Sequence, residues 1–256
     1  MTKLSLITAS YNSARTIGDT LRSVNSQTLG DFEYLVIDGG SKDDTMEIVA
    51  REGRRVTSAV SEPDKGIFDA YNKGLARARG EVIGFLNSDD FYASDTVLAE
   101  VMAAFEDETV DVVYGDLTYV DPVDTAKIER VWRSRPPTKA NIARGHHPAH
   151  PTLFLRRRVY DQAGVFDLGY RQAGDVEFMM RVFQTLDLKW VHIPGIMVRM
   201  RSGGATGGDM ASIMRQNRAV RQAQRDLGIR YPLAGFAFHK IVDRVQQRLR
   251  GRMAAS

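Results

Sequence analysis

Gly80 to Tyr92 reads GEVIGFLNSDDFY, and this stretch decides the fold. Val82, Ile83, Phe85 and Leu86 make a short apolar run, the pattern of a strand buried on both faces, which ends abruptly in Asn87, Ser88, Asp89 and Asp90. In an open α/β sheet the carboxyl ends of the strands border the ligand crevice, so an acidic pair there faces whatever binds. Adjacent carboxylates repel one another. A hard divalent cation with oxygen ligands relieves that repulsion, and Mg²⁺ in particular bridges one or two carboxylates to substrate phosphates. The same residues also suit a plain turn with an Asp helix cap, so the rest of the chain has to decide between the two readings.

Before this stretch, strands and helices alternate. Leu4 to Ala9 predicts a buried strand, followed by a turn at Ser10, Tyr11 and Asn12 and a helix marked by Ile17, Leu21 and Val24. Tyr34 to Ile37 predicts a second strand that breaks at Asp38-Gly39-Gly40-Ser41, and Val56 to Val60 a third. Phe68, Tyr71, Leu75 and Ala78 trace the apolar face of the helix leading into the central strand, and Val110 to Tyr114 predicts a further strand. This alternation predicts a doubly wound, mostly parallel α/β sheet, with the nucleotide-binding half in residues 1–115. Neither GxGxxG nor GxxxxGK[ST] occurs, which argues against a dinucleotide dehydrogenase and a P-loop NTPase.

After Gly115 the pattern becomes irregular. Lys127 to Arg133 predicts an edge strand, Thr152 to Leu155 a strand after the loop GHHPAHP, and Trp190 to Ile193 another. Gly174-Asp175 opens a helix whose buried face is Met179, Val182, Phe183 and Leu186. Ser202 to Gly208, SGGATGG, predicts a flexible loop that closes over a ligand, with Arg199 and Arg201 beside it as candidate diphosphate contacts. His146, His147 and His150 raise the alternatives of a zinc site or of a loop bordering an acceptor.

Composition narrows the function classes. The 256 residues contain no cysteine, which excludes a disulfide scaffold and thiolate zinc and suits a reducing compartment. No apolar run has the length of a membrane span, and a cytoplasmic protein is expected. Residues 209–256 hold ten Lys or Arg against three Asp, a net of +7; with a whole-chain charge of +3, the first 208 residues carry −4. An acidic body is a poor nucleic-acid binder, and no nucleic-acid partner is expected. The basic tail predicts two amphipathic helices, marked by Met210, Ile213, Asn217, Val220 and Leu227, then by Phe238, Ile241, Val242, Val245 and Leu249 among Lys240, Arg244, Arg248 and Arg250. They either pack on the body or a dimer partner, or touch anionic lipid at the inner face of the membrane.

With these blocks assembled, the chain resembles the family 2 glycosyltransferases of the GT-A fold, in particular the bacterial branch that builds polysaccharides and glycolipids. The resemblance rests on TASYN (Thr8 to Asn12), IDGGSKDDT (Ile37 to Thr45), EPDKGIFDAYNKG (Glu62 to Gly74), GEVIGFLNSDD (Gly80 to Asp90) and AGDVEFMMR (Ala173 to Arg181). It implies a GT-A domain over 1–208, with an acceptor-side half at 116–208 that carries a smaller sheet, and a helical tail at 209–256. It further implies metal-dependent, inverting transfer of a sugar from a nucleoside diphosphate donor, expected to be UDP-linked, to a glycan or lipid-linked acceptor hydroxyl in cell-surface glycan assembly. Carried over residue by residue, it places Thr8, Tyr11, Asn12 and Asp38 at the nucleobase, and Asp69 and Asn72 near base and ribose. It places Ser88 and Asp89 about the donor, Asp90 on Mg²⁺ or Mn²⁺, and Asp175 as catalytic base with Glu177 as the alternative; Arg201 is expected at the donor from its place beside the Ser202 to Gly208 loop. A non-catalytic sugar-nucleotide-binding protein is the main rival; a pyrophosphorylase would need a Gly-rich basic loop after the first strand, which TASYNSART is not.

Overall fold

The computed structural model describes residues 3–203 and 210–254. Its first half alternates as the apolar runs require: β1 (Leu4–Ser10), α1 (Ile17–Asn25), β2 (Glu33–Asp38), α2 (Thr45–Glu52), β3 (Ser58–Ser61), α3 (Ile67–Arg77) and β4 (Val82–Phe85). The second half adds β5 (Phe91–Tyr92), α4 (Val97–Ala104), β6 (Val112–Val120), β7 (Ile128–Trp132), α5 (Lys139–Ala143), β8 (Phe154–Arg156), α6 (Arg157–Ala163), α7 (Gly174–Thr185) and β9 (Trp190–Arg201). Two helices close the chain, α8 (Met210–Asp226) and α9 (Leu233–Ala254).

One nine-stranded sheet runs through both halves in the order β3-β2-β1-β4-β8-β6-β9-β5, with β7 beside β6. The pairings β3-β2, β2-β1 and β1-β4 are parallel, as is β6-β9, whereas β8 runs antiparallel between β4 and β6. Chain order leaves β1 toward β2 and β3 and then returns to its other side as β4, so the topological switch lies between the carboxyl ends of β1 and β4, where an open α/β sheet forms its crevice.

The period-2 side-chain alternation of a strand divides the core into two layers. Leu4, Leu6, Tyr34, Val36 and Val82 pack with Ile17, Leu21, Val24 and Val101 of α1 and α4 on one face. On the other, Ile7, Leu35, Ile37, Ile83 and Phe85 pack with Phe68, Tyr71 and Leu75 of α3 and with Val176, Met179 and Phe183 of α7. Apolar side chains on both faces are why these runs read as continuously hydrophobic.

Several elements differ from the sequence expectation; β6, for one, begins at Val112 and runs on to Val120 rather than ending at Tyr114. β3 begins at Ser58 rather than Val56, because Val56 donates its amide to Gly53 in a turn. His150–Thr152 forms a 3₁₀ turn ahead of β8, so that strand is shorter than Thr152 to Leu155 suggests. β9 is far longer than Trp190 to Ile193: it bends at Gly195, which has φ of 120°, and continues along β6 as far as Arg201. Arg201 is therefore part of the sheet and not of a loop, and the remainder of the expected closing loop, from Gly204 to Gly208, lies outside the described residues.

The terminal helices pack on the body. Val220, Ala223 and Phe236 are buried in the α7 layer, and the Gln224 amide donates to the carbonyl of Ala143 at 2.9 Å. Along α9, Phe236, Asp243, Gln247 and Gly251 recur at helical spacing on the face toward β7. Asp243 takes Arg135 and His146, each at 2.7 Å, and a Cβ at Gly251 would stand 2.5 Å from the carbonyl oxygen of Glu129. Val245 and Leu249 stand on the opposite side, each 53% exposed. No described helix is long and apolar enough to cross a membrane.

Candidate active site

The acidic pair stands where the strand pattern predicts, directly after β4, but its members differ in role. Asp90 is fully buried; it accepts hydrogen bonds from the Asn87 amide at 2.9 Å and from the Arg201 backbone N–H at 3.3 Å. Burial and then the neighbouring charge of Asp89 push its carboxyl well above the usual range. Asp89 is half-buried and is also raised by burial, with its own backbone N–H and Arg201 acting in the opposite direction. The guanidinium of Arg201 does not bind either carboxylate: it donates to the carbonyl of Asp89 at 2.6 Å and pairs with Asp19, and its Nε is buried without a partner among the described residues. Arg201 thus fastens the acidic turn to β9 and α1 through these two contacts.

A hydrogen-bonded chain runs inward from this pair. Asn87 donates to Asp90 and accepts from the buried hydroxyl of Tyr71 on α3. Burial, and then the charges of Asp175, Asp90 and Asp89 in that order, raise the Tyr71 hydroxyl well above its ordinary value, so one phenol registers all three acids. The Tyr71 ring is held in an aromatic cluster, 4.5 Å from the Phe85 ring, 5.4 Å from Phe166 and 5.5 Å from His150. Burial in this cluster lowers His150 to about 4, which keeps its imidazole neutral at neutral pH.

Asp175 is the second residue of α7, half-buried in the first turn, where the helix dipole favours a carboxylate. The helix start is seated so closely on α3 that a Cβ at Gly174 would lie 2.8 Å from the Phe68 ring. Glycine at 174 is therefore a packing requirement that sets the position of Asp175. Glu177, the alternative base, is committed elsewhere: it is 4% exposed, and its two oxygens take the Arg181 guanidinium at 2.8 and 3.0 Å.

At the ends of β1 and β2 the structure redistributes the expected donor contacts. Asp38 is fully buried and accepts five hydrogen bonds: from Ser10 at 3.0 Å, the Gly40 and Ser41 amides at 3.1 and 2.8 Å, and the Ser41 and Ser61 hydroxyls at 2.5 and 2.6 Å. A carboxylate has about four lone-pair sites, so none remains for a base. Asn12, at φ of 48°, accepts from the Lys42 amide at 2.9 Å and gives its own amide to Ser41 at 2.7 Å, which locks the β1 turn to the same loop. Ser88 joins Ser13 at 2.8 Å and so ties this turn to the acidic stretch. Tyr11 is left 63% exposed.

Thr8 is buried in the core against the Tyr34 hydroxyl at 3.1 Å and does not reach the crevice. Asn72 places both ends of its amide on the backbone of Phe166, at 2.8 and 3.0 Å, and is a brace between α3 and the segment before α7. Asp69 accepts the Lys65 amide at 3.0 Å and holds the turn ahead of α3. The three loop histidines do not converge: His146 binds Asp243, His147 faces the carbonyl of Pro148 at 2.9 Å, and His150 is in the aromatic cluster.

Among the described residues no three His, Cys, Asp or Glu converge into a metal cage. The available donor set is the Asp89–Asp90 pair, two carboxylates with no cationic side chain bound to either. That set fits Mg²⁺ or Mn²⁺ completed by phosphate oxygens and water. Asp89 presents the accessible carboxylate of the pair, and Asp90, with both oxygens engaged, supports it.

The sequence model of Glycosyl transferase family 2 matches residues 5–164. The chain belongs to the family 2 glycosyltransferases. A PGL/p-HBAD biosynthesis glycosyltransferase of Mycobacterium tuberculosis is 31% identical over 200 residues, covering 74% of this chain and 73% of that protein. Among solved structures, this glycosyltransferase is similar to Staphylococcus aureus TarS 1–349 in complex with UDP-GlcNAc, with a TM-score of 0.68 at 20% identity over 91% of this chain and 69% of the other. The mannosyltransferase PcManGT of Pyrobaculum calidifontis, in complex with GDP-Man and Mn²⁺, gives 0.66 at 19% identity over 91% and 66%. The chain spans 41% of the longer TarS structure. These likenesses establish the GT-A fold that the family resemblance implied.

Asp38 supplies a pH-linked prediction. Burial alone would raise its carboxyl, but the hydrogen bonds from Ser41, Ser61 and Ser10 outweigh burial and hold it below the ordinary value. A depressed folded-state pKa contributes stability above the unfolded value and loses it as pH falls through the folded one. Asp38→Asn is expected to cost about 2–4 kcal/mol at pH 7, measured by urea unfolding, with the gap to the parent protein narrowing below about pH 4.

Proposed function

We propose that this glycosyltransferase moves a sugar from a UDP-sugar to a hydroxyl of a glycan or lipid-linked acceptor in cell-surface glycan assembly, with inversion at the anomeric carbon. The reading rests on the Asp89–Asp90 pair placed after β4, beside the topological switch of the sheet, with Asp175 in the first turn of α7 contributing with both acids to the raised Tyr71 hydroxyl. Among the relatives, the PGL/p-HBAD biosynthesis glycosyltransferase supports a biosynthetic role, and the UDP-GlcNAc complex of TarS and the GDP-Man complex of PcManGT support a nucleoside diphosphate sugar as donor.

In this reading residues 1–115 hold the donor, 116–208 border the acceptor, and 209–256 are an appended helical tail. Asp175 accepts the proton of the acceptor hydroxyl, whose oxygen attacks the anomeric carbon opposite the leaving diphosphate. The C–O bond to the diphosphate breaks as the new glycosidic bond forms, so a single displacement inverts the centre. Asp89, backed by Asp90, would hold Mg²⁺ or Mn²⁺, which supplies countercharge for the departing diphosphate. Tyr71 and Asn87 fix the acidic turn relative to α7, so donor and base are set at one distance from each other.

Release of UDP from a UDP-sugar panel tests the assignment. Asp175→Asn and Asp89→Asn are each expected to lower the rate by at least about 10²-fold. Glu177→Gln is expected to act through stability, because it breaks the pair with Arg181. Full activity in Asp175→Asn would remove it as the base.

The tail offers a surface for the membrane. Val245 and Leu249 lie exposed on the side of α9 away from β7, flanked by exposed Arg244 and Arg248, a pattern that suits anionic lipid. Flotation with vesicles containing phosphatidylserine is expected to recover the protein, and Val245→Asp/Leu249→Asp to abolish recovery. Equal recovery of the two would assign this face to something other than lipid.

A further inference from the structure

Saturation of Asp38 leaves the donor crevice without an obvious reader for the nucleobase. The residue after it is Gly39, and a Cβ there would lie 2.5 Å from Asp64 Oδ2, 3.1 Å from Asp64 Cγ and 3.3 Å from the Tyr11 ring. Only a residue without a side chain lets the Asp64 carboxylate and the Tyr11 ring meet above the end of β2. Asp64 comes from the turn after β3, a neighbouring strand, and is carried there by the same loop that Asp38 organises, since Glu62 gives its amide to the Asp38 carbonyl at 3.0 Å.

The two oxygens of Asp64 are not equivalent. Oδ1 accepts the Gly66 amide at 2.8 Å and so shapes the turn. Oδ2, the atom over Gly39, has no hydrogen-bond donor among the described residues, and the carboxylate is half-buried. Beside it stands Tyr11, 63% exposed, whose ring face is free for stacking. An aromatic face with a fixed acceptor at its edge is what a planar base carrying a ring N–H donor requires.

The geometry points to Asp64, and not Asp38, as the carboxylate that reads the donor base, accepting a ring N–H while the base lies against Tyr11 over Gly39. The assignment rests on the nucleoside diphosphate donor proposed above. Uracil N3 and guanine N1 carry such a hydrogen, whereas cytosine N3 and adenine N1 are acceptors that a carboxylate repels. Thymine N3 carries the same hydrogen, so Asp64 selects the UDP, dTDP or GDP class of donor against CDP and ADP.

Titration calorimetry of the full chain with UDP, GDP, CDP and ADP in the presence of Mg²⁺ tests this. The parent protein is expected to bind UDP or GDP at least about tenfold more tightly than CDP and ADP. In Asp64→Asn the amide oxygen still accepts from Gly66, so the turn persists, while affinity for the preferred nucleotide falls about tenfold and its advantage over CDP and ADP shrinks. Gly39→Ala, which displaces the carboxylate, is expected to do the same. An unchanged affinity and an unchanged preference in Asp64→Asn would overturn the assignment while leaving the donor class intact, as would loss of preference in Asp38→Asn alone. Failure of the parent protein to bind any of the four would overturn both the assignment and the donor reading beneath it.

Discussion

Two carboxylates side by side at the end of a strand buried on both faces are costly, and the architecture of the crevice follows from how that cost is met. Asp90 is buried completely, so its hydrogen bonds must come from the protein itself: the amide of Asn87 and the backbone of β9 at Arg201 supply them. Asn87 is oriented in turn by Tyr71, and Tyr71 by the aromatic cluster beneath it. Arg201 gives its guanidinium to the Asp89 carbonyl and to Asp19, so among the described residues the half-buried Asp89 carboxylate has no cationic side chain bound to it.

The second constraint is the seam between α3 and α7. Asn72 clips the backbone of Phe166, Phe166 stacks on Phe68, and Phe68 leaves no room for a side chain at Gly174. Each contact is structural, yet together they fix where the first turn of α7 begins and hence where Asp175 stands. DAYNKG and AGDVEF, far apart in the chain, are thus two sides of one joint.

Much of this was legible in the sequence. Continuous apolar runs located β1, β2 and β4, because burial on both faces leaves a strong one-dimensional signal, and the Asp residues following β2 and β4 marked the crevice at the carboxyl ends. Individual roles were less legible. Asp38 and Asn72 carry the residue types of a ligand site, but sequence does not reveal that their hydrogen-bonding capacity is spent on neighbouring segments. Arg201 was misplaced because the bend at Gly195 allows β9 to continue, and a glycine inside a strand reads as an ending. Asp64 gave no signal of its own; only the glycine at 39, two elements away in the chain, marks the space its carboxylate fills.

The central claim is that the acidic pair after β4 serves a metal–diphosphate unit rather than a metal alone. Electron paramagnetic resonance of Mn²⁺ titrated into the protein, with and without UDP, tests it most directly. Weak binding of Mn²⁺ alone, tightening by about tenfold or more once UDP supplies the missing phosphate oxygens, and loss of that gain in Asp89→Asn is the predicted result. Equal Mn²⁺ affinity with and without UDP, or a gain that survives in Asp89→Asn, would contradict it.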